Sequence, residues 1–215
     1  METIALVDVG SGNLRSAAKA LERVAADLPG GATVHTTSDP DLVARADRIV
    51  LPGQGAFADV AAGLARIDGL RAALEHAVRA NARPYLGICV GMQLMADRGR
   101  EHGDHAGLGW IGGDVVPMTP SDPALKIPQM GWNDLDLLQP SHPVLRNVAA
   151  GEHAYFVHSY KFDVQDRADL LAQVDYGGGV AAIVGRDNLV GTQFHPEKSQ
   201  AVGLKLLAAF LTWRP

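Results

Sequence analysis

Hydrophobic positions in the first half of the chain fall into alternating blocks of two kinds. Short apolar runs predict buried strands at 4–9, 33–37 and 48–51. Apolar residues at helical spacing predict helices between them, at 14–28, 58–64 and 69–81. Asp39-Pro40 is typical of a helix start, with an N-cap followed by proline in the first turn. Strands that alternate with helices predict a three-layer α/β fold, a mostly parallel sheet flanked by helices.

The pattern changes after about residue 107, where short apolar runs are separated by Gly, Pro and Asn. These runs predict strands at 110–111, 115–116, 135–138, 155–160, 170–174, 180–184 and 190–194. Gly177-Gly178-Gly179 predicts a hairpin turn, and 199–211 predicts a closing helix. We therefore expect an antiparallel extension of the sheet. No repeat or linker interrupts the chain, so we also expect a single domain over residues 1–215.

The amino-acid composition and net charge exclude several classes of function. Hydrophobic residues make up 47% and charged residues 20%, which is typical of a globular protein. The net charge of −5 and the lack of a basic run argue against a nucleic-acid or anionic-membrane surface. We see no signal peptide and no apolar run of membrane-spanning length. A single cysteine excludes an internal disulfide and suits a reducing cytoplasm.

That cysteine, Cys89, lies in Gly87-Ile88-Cys89-Val90-Gly91, between a predicted strand and a predicted helix. Gly-x-Cys-x-Gly at such a junction is the thiol counterpart of a nucleophile elbow, whose sharp turn needs flanking glycines. The N-terminal N–H groups of the helix and its dipole would favour thiolate over thiol. The alternative is a buried structural cysteine that packs as a small apolar residue.

A second candidate segment, His195-Pro196-Glu197, follows the last predicted strand. In an extended chain, residues two apart point the same way, so Glu197 can hold one imidazole nitrogen of His195 and leave the other for a thiol. The alternative is an ordinary turn. Cys89 and His195 are distant in sequence, but catalytic partners need only meet in space.

With these two segments in this order, the chain resembles the class I (triad) glutamine amidotransferases. Within them it looks like the glutaminase subunits of imidazole glycerol phosphate synthase, on the segments 8–14, 51–57, 129–133, 158–160 and 195–199. Two residues depart from the usual pattern: Val9 replaces a frequent aromatic, and Gln54 a frequent valine. The resemblance implies a flavodoxin-like fold. It also implies an enzyme that needs neither a metal nor another cofactor.

The resemblance also implies a reaction and its residues. Cys89 would attack the side-chain amide of glutamine to form a thioester, His195 would transfer protons, and Glu197 would orient His195. The N–H of Val90 and one from Gly53, Gln54 or Gly55 would form the oxyanion hole, and glycines around Gln54 would allow that peptide to flip. The ends of the substrate would be held by Gln93 and by the backbone of His158, Ser159 and Tyr160.

A partner is implied as well. The ammonia would pass to a cyclase subunit with a (β/α)₈ barrel, which makes imidazole glycerol phosphate and AICAR nucleotide in histidine biosynthesis. Hydrolysis is expected to be slow until that partner binds its nucleotide. Candidate docking residues are Asn13, Trp132, Tyr155 and Lys198, although core packing is the alternative for the two aromatic residues.

Other functions stay open on the sequence alone. These are a different amidotransferase subunit (of anthranilate or aminodeoxychorismate synthase), a free-standing γ-glutamyl hydrolase or cysteine peptidase, and a silent binding subunit. The polar segment 101–105 fits no metal-binding spacing and is expected to be a solvated loop.

Overall fold

The computed structural model describes all 215 residues, which form six α-helices and fourteen strands. The helices are α1 Leu14–Ala25, α2 Pro40–Arg45, α3 Phe57–Arg66, α4 Leu70–Leu74, α5 Val90–Gln93 and α6 Gln200–Thr212. The strands are β1 Glu2–Val7, β2 Ala32–Thr37, β3 Arg48–Gly53, β4 Tyr85–Cys89, β5 Arg98–Gly99, β6 His105–Ala106, β7 Gly113–Pro117, β8 Gln129–Asp134, β9 Asp136–Leu137, β10 His153–His158, β11 Tyr160–Val164, β12 Leu170–Asp175, β13 Gly179–Arg186 and β14 Leu189–Thr192.

The central sheet has eight strands in the order β2-β1-β3-β4-β14-β13-β12-β9. Its first five strands are parallel, and the last three are antiparallel to their neighbours. The order runs outward from β1 to β2 and then back past β1 to β3. Since βαβ connections are right-handed, this reversal places α1 and α2 on opposite faces of the sheet. The predicted parallel sheet with an antiparallel extension is therefore confirmed.

Local signals in the sequence produce the predicted helix starts and turns. The Asp39 side chain accepts a hydrogen bond from the Asp41 N–H at 3.0 Å, and Pro40 is the first residue of α2. The predicted helix 69–81 instead divides into α4 and a π-helical turn, Glu75–Ala80. The Asn188 side chain donates to the Val78 carbonyl at 2.8 Å and so satisfies a backbone acceptor in this irregular turn.

Three predictions for the second half were wrong. Residues 110–111 form no strand, because the N–H groups of Trp110 and Ile111 both donate to the Met95 carbonyl and close the chain after α5. The run 155–160 breaks at Ser159 into β10 and β11, which belong to different sheets. The extension is also not one sheet, since β8 pairs only with β10, and β11-β7-β5-β6 form a separate sheet. Apolar alternation reports which face of a strand is buried, but not which strand pairs with it.

The central strands carry the candidate site at their carboxyl ends. All residues of β3 and β4 are buried, as expected for parallel strands covered on both faces. In the register of the sheet, Gly53 pairs with Cys89 and Thr192 with Ile88. The segments after β3, β4 and β14 therefore meet at one edge, where ligands bind in open α/β sheets. None of the helices is long and apolar enough to cross a membrane.

Candidate active site

The turn at Cys89 has the predicted sharp geometry. Its backbone lies at φ 55° and ψ −111°, a region that non-glycine residues rarely adopt and that persists where surrounding packing enforces it. A Cβ on Gly91 would lie 1.8 Å from the Leu51 carbonyl oxygen, and one on Gly87 would lie 2.4 Å from the Gly91 oxygen. The glycines therefore let α5 pack directly on β3 and β4, and this close packing holds the turn in place.

Cys89 is 5% exposed and lines a cavity of about 470 Å³ at the carboxyl edge of the sheet. Most of the residues predicted for the site line the same cavity: Gln54, Gly55, Val90, Gln93, His158, Ser159, Tyr160, His195 and Lys198. The predicted residues that do not line it are Gly53, Glu197, Asn13, Trp132 and Tyr155. A Cβ on Gly53 would lie 2.9 Å from the Val90 Cβ, so Gly53 serves the packing of α5 on β3.

His195 and Glu197 form a buried pair beside Cys89. The His195 Nδ1 lies 2.8 Å from the Glu197 Oε1, and both side chains are 3% exposed. Burial lowers the pKa of His195, but the neighbouring Cys89 and the bond to Glu197 outweigh it and raise the pKa to about 9. The His195 Nε2 has no hydrogen-bond partner. Cys89 and His195 are therefore neighbours without a formed hydrogen bond, as is common before substrate binds.

The Gln54 backbone is turned toward Ser11. The Gln54 N–H donates to the Ser11 Oγ at 3.2 Å, and the Ser11 hydroxyl donates in return to the Gln54 carbonyl. Gly55 follows at φ +91°, a value that favours glycine. The Gln54 N–H is thus occupied, whereas Val90 begins α5 at the cavity wall, where helix N–H groups lack intrahelical partners.

A buried polar network closes the other side of the cavity. The Gln93 Nε2 donates to the Tyr160 carbonyl at 3.3 Å and to the Gln193 Oε1 at 3.0 Å. The His158 Nδ1 lies 2.8 Å from the same Tyr160 carbonyl, so it carries the imidazole proton. Burial lowers the pKa of His158 to about 4, with a further contribution from His195, and this imidazole is neutral near pH 7.

The residues predicted for partner docking lie outside the buried core. Trp132 and Tyr155 face each other across β8 and β10, with ring centroids 5.8 Å apart at 68°. Trp132 is 49% exposed and Met130, two residues earlier, is 65% exposed, so core packing does not account for Trp132. Asn13 precedes α1 without capping it through its side chain, and Lys198 lines the cavity.

Comparison with known proteins assigns the family. The family model described as "Glutamine amidotransferase class-I" matches residues 5–212, which is nearly the whole chain. This chain belongs to the class I glutamine amidotransferases. A protein from Rhodospirillum rubrum named imidazole glycerol phosphate synthase subunit HisH is 59% identical over 212 residues, covering 99% of each chain. A protein of the same name from Bradyrhizobium diazoefficiens is 57% identical, covering 99% of this chain and all of that one. Within the amidotransferases, the chain therefore falls among the HisH subunits.

Solved structures of amidotransferases share the fold at low sequence identity. A structure described as a glutamine amidotransferase is 17% identical, with a TM-score of 0.70 over 96% of both chains. The glutaminase domain of Trypanosoma brucei CTPS is 16% identical, with a TM-score of 0.65 over all of this chain and 96% of that one. These chains therefore share the fold although their sequences are mostly different.

Two residues of this candidate site were missed by the sequence analysis. Glu101 was assigned to a solvated loop, but it lines the cavity and its Oε2 accepts from the Phe57 N–H at 2.8 Å. Gln193 is fully buried, and its Nε2 lies 3.7 Å from the Cys89 Sγ. A glutamine between an apolar strand and a candidate general base was the one available signal for Gln193. Nothing near Glu101 in the sequence indicates a contact across 44 positions.

Proposed function

We propose that this cavity hydrolyses the side-chain amide of glutamine to glutamate and ammonia, with Cys89 as the nucleophile. One observation carries the proposal. Cys89 at a strained strand–helix turn and His195, which Glu197 holds through a buried hydrogen bond, are far apart in sequence but line the same cavity. A thiol next to an imidazole that is itself held by a carboxylate is the arrangement of nucleophilic catalysis.

The chemistry follows from the charge on His195. With a pKa raised to about 9, the imidazole is protonated near pH 7, and the Cys89 thiolate attacks the carboxamide carbon beside it. His195 gives its proton to the departing amine, so ammonia leaves and a γ-glutamyl thioester remains. The now neutral imidazole takes a proton from water, and the resulting hydroxide cleaves the thioester to glutamate and restores Cys89.

The oxyanion of each tetrahedral intermediate needs two preorganised donors. The Val90 N–H is one, and we propose the Gln54 N–H as the other. Because the Gln54 N–H is bonded to Ser11, this donor is withdrawn in the structure. Losing one such donor typically slows turnover about 10²–10³-fold. We therefore expect slow hydrolysis by the isolated chain, and faster hydrolysis once a partner turns the Gln54 peptide.

The free polar atoms of the cavity match the two ends of glutamine. Both hydrogens of the Gln93 Nε2 are already donated, so its Oε1 is left to accept from the α-ammonium group. The Glu101 carboxylate, which also lines the cavity, adds a negative charge for the same group. The α-carboxylate is assigned to the backbone around Ser159 and Tyr160.

The ammonia requires a partner. Bulk water near neutral pH would protonate it, so a closed path to a second site preserves the nucleophile. The relatives are named as subunits of imidazole glycerol phosphate synthase, which implies a partner chain. We propose a cytoplasmic heterodimer with a (β/α)₈-barrel cyclase that forms imidazole glycerol phosphate and AICAR nucleotide. Asn13, Trp132, Tyr155 and Lys198 would contact that barrel.

The test is glutamate release by the purified chain, alone and with a cyclase subunit plus its nucleotide ligand. Strong stimulation in the full mixture, abolished in a Cys89→Ala variant, is expected. Equal activity with and without the partner would indicate a free-standing hydrolase. Activity that survives Cys89→Ala would reject every thiol mechanism.

A further inference from the structure

Gln193 has no role in the proposed mechanism, yet its side chain lies between Cys89 and Gln93, which both have one. It follows β14 directly and is fully buried. Its Nε2 lies 3.7 Å from the Cys89 Sγ, and its Oε1 lies 3.0 Å from the Gln93 Nε2. One amide thus connects the nucleophile to the residue assigned to the α-ammonium group of the substrate.

The direction of these hydrogen bonds follows from a backbone carbonyl. The Tyr160 carbonyl can only accept, so the Gln93 atom that faces it at 3.3 Å must be the amide nitrogen. The same nitrogen contacts Gln193, so the Gln193 atom that receives this bond must be the amide oxygen. The amide nitrogen of Gln193 is then left to face the sulfur. The network therefore presents an N–H donor, not an acceptor, to Cys89.

We propose that Gln193 is a positioning residue, which orients the Cys89 thiolate through its N–H group and couples it to Gln93. A donor at the sulfur favours the anion over the thiol, since hydrogen bonds to charged groups are stronger than those between neutral groups. Hydrogen bonds in series also polarise one another, so an ammonium group on the Gln93 Oε1 would strengthen the donor at Cys89. The inference rests on the proposed function, because the orientation of the thiolate matters for turnover only if Cys89 attacks the substrate.

The lone cysteine makes this contact measurable without any turnover. Alkylation of the full chain by iodoacetamide reports only on Cys89, and its rate against pH gives the midpoint at which the thiolate forms. In Gln193→Leu, which loses both bonds, this midpoint should move upward by about one pH unit or more. Thr192→Val is the matched control, because Thr192 is equally buried but donates to the Phe194 carbonyl and not to Cys89. Its midpoint should equal that of the wild type.

Gln193→Met separates positioning from packing. It keeps nearly the same length and volume, but it has no N–H group for the sulfur and no oxygen for Gln93. Its alkylation midpoint should rise about as far as in Gln193→Leu, and kcat with the cyclase present should fall about tenfold or more, with a smaller change in KM. This variant also serves if Gln193→Leu fails to fold, which circular dichroism would reveal.

An unchanged alkylation midpoint in a folded Gln193→Leu or Gln193→Met chain would overturn the proposal. The outcome is separable from the proposed function. A shifted midpoint in a chain whose wild type hydrolyses no glutamine would reject the amidase mechanism, but it would support the contact between Gln193 and Cys89.

Discussion

Ser11 holds the backbone of Gln54 through two hydrogen bonds, one to the peptide group on each side, and Ser11→Ala removes both. The hydroxyl accepts from the Gln54 N–H at 3.2 Å and donates to the Gln54 carbonyl. If the Gln54 N–H is the second oxyanion donor, these bonds stabilise the conformation in which that donor is withdrawn. The alanine variant should therefore hydrolyse glutamine faster than the wild type in the absence of any partner.

The size of the effect follows from the two bonds. A typical hydrogen bond contributes about 0.5–1.5 kcal/mol net, so losing two favours the released peptide by about 1–3 kcal/mol. At about 1.4 kcal/mol per factor of ten, the population with a free Gln54 N–H rises roughly 5- to 150-fold. The gain in rate cannot exceed the value of one oxyanion donor, about 10²–10³-fold.

The assay is glutamate release by the isolated chain and by the chain with its cyclase and nucleotide ligand. Ser11→Ala should raise only the unstimulated rate, because the stimulated enzyme already has the peptide turned. Ser11→Thr, which keeps the hydroxyl, is the matched control and should behave as the wild type. An unstimulated rate that stays equal or falls in Ser11→Ala, with stimulated turnover intact, would refute the assignment of Gln54 as the withdrawn donor.

Three further outcomes are expected. Glu197→Gln should lower kcat about 10²–10⁴-fold through loss of the correct tautomer, and less than His195→Ala does; negligible loss in steady-state assays would mean that Glu197 is misassigned. Gln129 is 2% exposed, and neither atom of its amide has a hydrogen-bond partner. Gln129→Met should therefore leave the free energy of unfolding in urea unchanged or raise it by about 1–3 kcal/mol. A lower free energy of unfolding would show that the amide has a partner such as buried water. Burial lowers the pKa of His158 from 6.5 to about 4, so the folded chain favours the neutral imidazole. This preference stabilises the fold above pH 6.5 by at most about 3 kcal/mol, and the contribution is lost as the pH falls through 4. Urea unfolding between pH 7 and 4 should show this loss in the wild type but not in His158→Phe.

Features that depend on neighbouring residues were predicted correctly from the sequence. The cap at Asp39 and the turn at Cys89 each involve a few consecutive positions, where propensity and steric limits decide the backbone. The pairing of strands was not predictable in the same way. The 155–160 run carries one apolar pattern, but it divides at Ser159 between a two-stranded and a four-stranded sheet.

Residue order along the chain was enough to predict the parallel α/β fold, the sharp turn at Cys89 and the candidate trio with His195 and Glu197. Each of these is written in local spacing, glycine positions or residue type. The groups that surround Cys89 are known only from the three-dimensional fold. Gln193 meets it across 104 positions and Glu101 reaches the cavity from a loop, because the packing of distant segments sets where a side chain points. The same packing turned the Gln54 N–H toward Ser11, which no pattern of residues along the chain records.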